Sequence, residues 1–145
     1  MTLRILRLLA GFLGLSAIVL SPGCGPSNAP PSPERAEELK LQEVGQVLRE
    51  YQLFNNRAPK SIKEIQSAAG GSPGGFELIK TGEVVVNWGA TLPDTKEEPG
   101  SSPSEEVLAY LKKVPDEGGP VLLLNRTIRR MSTEEFKAAP RAGTK

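Results

Sequence analysis

The chain has 145 residues with a formal net charge of +1, and its 24% charged and 38% hydrophobic residues are typical of one small globular domain. It contains no histidine and one cysteine, so the commonest general base, a thiolate metal cluster and an internal disulfide are excluded. We therefore expect no catalytic residue, metal or cofactor, and the near-neutral charge argues against a nucleic-acid partner.

The first residues have the pattern of an export signal. "MTLRILR" is positively charged, and residues 8–20 follow without a charge. A membrane-spanning helix needs about 20 apolar residues, so this shorter run is typical of a signal peptide, which we place at residues 1–23. The alternatives are cleavage at another position or retention of the run as an anchor.

The only cysteine, Cys24, directly follows the small and helix-breaking residues "SPG". This arrangement resembles a bacterial lipoprotein signal, although Ser21 stands where leucine is usual and Leu20 lies one position earlier. The resemblance implies that the signal is cut before Cys24 and that its thiol carries a lipid. It also implies that the membrane is a partner and that the protein is located in the cell envelope.

Residues 24–33 read as a proline-rich tether between this anchor and a folded domain. Their sequence, "CGPSNAPPSP", favours extended conformations and offers nothing for a hydrophobic core. At about 3 Å per residue, the tether would hold the domain roughly 25–30 Å from the membrane.

Residues 34–54 are predicted to form a long amphipathic helix. Ser32 can cap its first turn, and Pro33 suits the first helical position. The apolar stripe recurs at spacings of three and four and comprises Leu41, Val44, Val47, Leu48, Tyr51 and Phe54. We expect this stripe to face the core.

A second, short helix is predicted over about 62–68. Ser61 and Glu64 have the spacing of a capping box at its start, and the glycine-rich run 70–75 ends it. Beyond the glycines the pattern changes to β-branched and alternating residues, which indicates a sheet.

Strands are predicted over 82–90, 107–114, 120–125 and 127–131, and a polar loop over 91–106. Residues 104–113, "SEEVLAYLKK", could also begin as a helix, which leaves three to four strands. A tight turn at Asn125-Arg126 joins the last two strands. The fold expected is α+β, with the long helix packed on a small antiparallel sheet.

The end of the chain is predicted to contain one more short helix. Ser132 and Glu135 have capping-box spacing, so a helix is expected to start after Ser132. The domain then covers residues 34–138, and residues 139–145 form a flexible tail.

The turn after the long helix resembles the globular domain of type IV pilins and of type II secretion pseudopilins. The matching positions are Tyr51, Asn55, Asn56, Pro59, Ser61, Ile62 and Ile65. Residues 118–136 are similar to the C-terminal hairpin and capped helix of pilin-like proteins. The chain lacks the prepilin cleavage motif and the long continuous N-terminal helix, so the resemblance implies a pilin-like fold without filament assembly.

Two groups of charged residues are candidates for a site. The carboxylate pairs Glu97-Glu98 and Glu105-Glu106 could serve catalysis or a metal, but they lack aspartate-rich or buried partners and read as solvated charge. A basic edge is expected from Lys112, Lys113, Arg126, Arg129 and Arg130.

These patterns predict an exported, lipid-anchored envelope protein with a non-catalytic binding or structural role. Its expected partner is an envelope or secretion-system protein, for which it would be an accessory component. The alternative is a periplasmic sensor or hydrolase module with a carboxylate site, which a cleft with convergent carboxylates and a raised glutamate pKa would favour.

Overall fold

The computed structural model describes residues 30–143, which form an α+β fold with one long helix and a four-stranded antiparallel sheet. The helices are α1 (Pro33–Asn55), α2 (Ile62–Ile65) with a 3₁₀ turn (Gln66–Ala68), α3 (Pro73–Lys80), α4 (Val114–Glu117) and α5 (Thr133–Ala138). The strands are β1 (Val84–Val86), β2 (Val107–Leu111), β3 (Gly119–Leu123) and β4 (Ile128–Met131). The predicted α+β class, with a long helix and a small antiparallel sheet, is confirmed.

Helix α1 begins and ends close to the predicted positions. The Ser32 hydroxyl accepts a hydrogen bond from the Arg35 amide at 3.3 Å, as expected of a cap. The predicted stripe is buried from Leu41 to Tyr51. Phe54 is the exception, because 76% of its surface is exposed. Position 54 lies about 20° from Val47 around the helix axis, so Phe54 stays on the stripe, and it is exposed because the fold leaves this side of the last turn of α1 uncovered.

The capping box predicted for α2 is wrong, although the helix is present. The Ser61 side chain accepts no capping hydrogen bond. The Glu64 carboxylate instead accepts hydrogen bonds from the Arg57 guanidinium at 2.7 Å and from the Tyr51 hydroxyl at 3.0 Å. These stronger, charge-assisted partners draw the carboxylate away from the position that a capping box requires.

Helix α3 was not expected, since the glycine-rich run was predicted only to end the preceding helix. Pro73 occupies its first turn, and the helix continues through Gly74 and Gly75. A Cβ added at Gly75 would lie 2.4 Å from the carbonyl oxygen of Glu43 in α1. Glycine therefore allows the two helices to approach closely, which offsets its poor helix propensity.

The sheet has the order β1-β2-β3-β4, and every neighbouring pair is antiparallel. One face packs on α1, where a Cβ at Gly45 would lie 3.5 Å from the Leu122 side chain. The other face is covered by α5, whose Phe136 ring lies 4.7 Å from the Tyr110 ring in an edge-to-face arrangement. The core lies between these layers.

The strands are shorter than predicted, and the helical alternative for 104–113 is not adopted. Residues 107–111 form β2, and α4 at 114–117 was not predicted. The predicted turn between β3 and β4 is present, and Arg126 adopts a φ of 66° within it. The capping box of α5 is confirmed, since Ser132 accepts from the Glu135 amide and the Glu135 carboxylate accepts from the Ser132 amide.

The prediction of a flexible tail over 139–145 differs from the structure as far as residue 143. The Val107 amide donates to the Pro140 carbonyl at 2.8 Å, and the Ala142 amide donates to the Val107 carbonyl at 3.0 Å. Ala142 is buried, and a Cβ at Gly143 would lie 2.4 Å from the Trp88 carbonyl oxygen. The segment therefore continues the sheet beside the start of β2, beyond the end of β1.

Candidate functional site

The carboxylate pairs singled out in the sequence do not converge in a cleft. Glu97 and Glu98 are both exposed in the loop between β1 and β2. Glu105 is also exposed and forms an ion pair with Arg129 at 2.6 Å. Glu106 is half-buried, and its carbonyl accepts from the Leu124 amide. These pairs therefore offer no shared site for two reacting carboxyl groups.

Other carboxyl groups are held in an ionised state by their neighbours. The Arg57 guanidinium, followed by the Lys60 amide, holds the pKa of Glu64 below its ordinary value. The Ser101 hydroxyl does the same for the pKa of Asp94. A general acid at neutral pH needs a raised pKa, so these shifts suit structural acceptors better than catalysts.

The basic edge predicted from the sequence is divided by the fold. Lys112, Lys113, Arg129 and Arg130 are exposed, as expected. The inclusion of Arg126 was wrong, because only 5% of its side chain is exposed. Its guanidinium lies inside the fold and donates hydrogen bonds to the loop between β1 and β2.

Two arginines brace that loop. Arg126 Nη2 donates to the carbonyls of Lys96 and Glu98 and lies 3.7 Å from the Asp94 carboxylate. The Nε of Arg49 in α1 donates to the Lys96 carbonyl at 2.9 Å. Burial and the nearby Arg49 charge lower the pKa of Arg126 from its ordinary value. Loop carbonyls are therefore held by guanidinium groups that belong to the chain itself.

The strongest candidate for a site is an open groove of about 540 Å³, which we call the α1–β4 groove. Its polar walls include Arg35, Glu38, Gln42 and Gln46 of α1, facing Thr127 and Ile128 at the start of β4. Arg35 and Glu38 form an exposed ion pair at 3.0 Å. Gly45, which lies between the two glutamines in sequence, also lines the groove.

The groove runs beside an edge of the sheet. Strand β4 pairs with β3, and no other strand within residues 30–143 pairs with its outer side. The opposite edge is less open, since α3 contacts β1 and residues 140–142 pair with the start of β2. An unpaired edge beside a groove can receive an extended chain by main-chain hydrogen bonding.

The groove and its supporting contacts were not predictable from the sequence. Cys24, the one site residue that the sequence predicted, precedes the part of the chain that the structure describes. The groove combines residues from α1 with the β3–β4 hairpin, which lie far apart in the chain. The alternation in "TIRRM" indicated a strand, but only the strand order shows that β4 is at an edge.

No protein-family model matches the chain, and no curated protein or solved structure is significantly similar to it. No helix between residues 30 and 143 combines the length and the hydrophobicity needed to cross a membrane. In the same range, no group of three or more acidic side chains lies close enough together to hold a metal ion.

Proposed function

We propose that this chain is an exported envelope protein, anchored in the membrane by a lipid on Cys24, whose domain binds a protein partner. The proposal rests first on the N-terminal sequence, in which a short apolar run is followed by small residues and the only cysteine. Two or more acyl chains on Cys24 would hold the protein stably at a membrane, whereas one would bind only weakly.

The observation that carries the binding role is the unpaired outer edge of β4 beside the α1–β4 groove. A role in binding fits these features better than catalysis does. Two shallow clefts hold two carboxylates each, Glu37 with Glu83 and Glu105 with Glu135, but each of these carboxylates is within ion-pair distance of a lysine or arginine. The pKa values of Glu64 and Asp94 are lowered, not raised. The domain therefore acts as a docking module at the envelope.

The layout of the domain supports a relationship to pilin-like proteins as part of this proposal. A long helix precedes an antiparallel sheet, and a capped helix follows the last hairpin. This is the order that the resemblance to pilin-like proteins implies. Such a domain on a lipid anchor would serve a secretion or pilus-like assembly as an accessory component, without joining a filament.

Site-specific photo-crosslinking in intact cells tests the docking role. A benzophenone-bearing residue is placed at Arg130, on the outer edge of β4, and separately at Lys63 in α2 as a matched exposed control. We expect a reproducible protein adduct from position 130 and none of the same mass from position 63. Identical adducts from both positions, or none from position 130, would contradict a docking role for this edge.

A further inference from the structure

The hydrogen-bond pattern of the β3–β4 hairpin shows which groups of β4 face outward. The Leu123 amide donates to the Thr127 carbonyl at 2.9 Å, so the backbone carbonyl of Thr127 points towards β3. The backbone N–H and C=O groups of successive residues point to alternate sides of an antiparallel strand. The backbone groups of Arg129 therefore also point towards β3. The N–H and C=O groups of Ile128 and Arg130 point away from the sheet. They form the two binding positions of the open edge.

The side chains of these two residues lie on the same face of the sheet. Ile128 is opposite Leu122 in β3, and Leu122 packs against α1 at Gly45. Since side chains alternate between faces, Ile128 and Arg130 both lie on the α1 side. Ile128 is half-buried and lines the groove, whereas Arg130 is exposed. An added strand would thus meet an apolar position and a cationic position two residues apart.

The charges along the edge indicate which side chains an added strand should carry. Arg129, on the other face, already has carboxylates near it: Glu105 at 2.6 Å and Glu135 at 4.0 Å. Arg130 has no ion pair with any residue between 30 and 143. The guanidinium charge of Arg130 is close enough to the Lys113 ammonium for the two cations to repel each other. A carboxylate opposite Arg130 would supply the missing counter-charge.

The same charges disfavour a second copy of this chain as the occupant. Antiparallel pairing of two β4 strands would bring the adjacent cations of one edge, Arg129 and Arg130, towards those of the other. Like charges directly opposite each other destabilise a strand pair. Charged residues on an edge also serve in general to prevent such self-association.

We propose that the β4 edge binds an extended, acidic segment of another protein as a fifth strand. This inference rests on the proposed docking function and names its partner class. The segment carries an apolar residue opposite Ile128 and a carboxylate opposite Arg130, two positions apart on the groove side. Its backbone bonds to the outward N–H and C=O groups of the same two residues.

Binding of matched synthetic peptides to the full-length protein in detergent tests this proposal. The probes are fluorescein-labelled Thr-Glu-Thr-Val-Thr-Glu-Thr, which places a glutamate two residues from valine in either strand direction, and the same peptide with lysine in place of both glutamates. Fluorescence anisotropy should show the glutamate peptide binding about two- to fivefold more tightly, as expected of one exposed ion pair. Arg130→Glu should reverse this preference, and Lys63→Glu should leave it unchanged.

Amide hydrogen exchange then tests the mode of binding. On addition of the glutamate peptide, exchange at Ile128 and Arg130 should slow, while Arg129, already bonded to β3, serves as a control within the same strand. Equal affinity for both peptides, no binding, or protection confined to other elements would overturn the proposal. Concentration-dependent protection of both amides without peptide would also overturn it, because it would identify a second copy as the occupant.

These outcomes are separable from failure of the proposed function. Retained photo-crosslinking from position 130 together with no preference between the peptides would reject the acidic strand and keep the docking role. Loss of both would reject both. Circular dichroism of Arg130→Glu establishes that the variant is folded, and Arg130→Lys, which keeps the charge, should retain the preference for glutamate.

Discussion

The side-chain amide of Gln52 pairs with both backbone groups of Leu92. Its Nε2 donates to the Leu92 carbonyl at 3.0 Å, and its Oε1 accepts from the Leu92 amide at 2.8 Å. Both residues are buried. One side chain of α1 thus supplies the hydrogen bonds that a neighbouring strand would otherwise provide, and it holds the start of the loop between β1 and β2 against the helix.

Replacing Gln52 with alanine should destabilise the domain by about 2–4 kcal/mol, because two buried backbone groups of Leu92 lose their partners. The free energy of unfolding in urea measures the effect. Gln42→Ala is the matched control, since Gln42 is exposed on the same helix, and it should change stability by less than about 0.5 kcal/mol. Equal effects of the two substitutions would show that the pairing with Leu92 contributes little.

Arg126→Met should destabilise the fold by about 2–3 kcal/mol, since it removes a buried cation that donates to the carbonyls of Lys96 and Glu98. Amide exchange over residues 94–100 should accelerate at the same time. Arg129→Met, at an exposed ion pair, should cost less than about 1 kcal/mol. Unchanged exchange in the loop of Arg126→Met would contradict the bracing role.

The glycine-rich run provides a matched pair of substitutions. Gly75→Ala should destabilise the domain by about 1–3 kcal/mol, because its Cβ would lie 2.4 Å from the Glu43 carbonyl oxygen. Gly70 has nothing within 4 Å of its Cβ position and no positive φ. Gly70→Ala should therefore be neutral or stabilise by up to about 1 kcal/mol. Thermal unfolding of both variants checks the close approach of α3 to α1.

The contacts of Glu64 predict a dependence of stability on pH. Its pKa is lowered in the folded state, chiefly by Arg57, so its stabilisation is present above the unfolded pKa of about 4 and is lost as pH falls through the folded pKa. The stability of the wild type should therefore fall between about pH 5 and pH 3, and Glu64→Gln should reduce that slope.

The Arg57 partner provides the control for that measurement. Arg57→Met should reduce the slope as Glu64→Gln does, and the double variant should add little to either single change, because all three remove the same ion pair at 2.7 Å. Additive losses of slope would show that Glu64 is held by groups other than Arg57.

The elements of this fold that sequence predicts well are those fixed by local patterns. The apolar spacing from Leu41 to Tyr51 predicts α1, and the pair Ser132 and Glu135 predicts the cap of α5. Helix α3 could not be predicted in this way, because glycine has a low helix propensity. The contact with Glu43 that requires Gly75 is tertiary, so local sequence patterns do not indicate it.

The candidate site was less predictable because it depends on long-range contacts. A buried arginine in a turn has the same appearance in sequence as an exposed one, so Arg126 was assigned to the surface. The exposed position of Phe54 and the packed position of Ala142 likewise follow from what the rest of the fold covers. Strand order decides that β4 lies at an edge, and local alternation carries no information about that order.

The most direct test of the central claim is detergent-phase partitioning of the full-length protein, with incorporation of labelled fatty acid, in the wild type and in Cys24→Ser. We predict that the wild type carries label and enters the detergent phase, and that Cys24→Ser carries none and stays in the aqueous phase or is retained as an unprocessed precursor of higher mass. Mature-sized Cys24→Ser that still enters the detergent phase, or wild type without label, would contradict a lipid anchor at this residue.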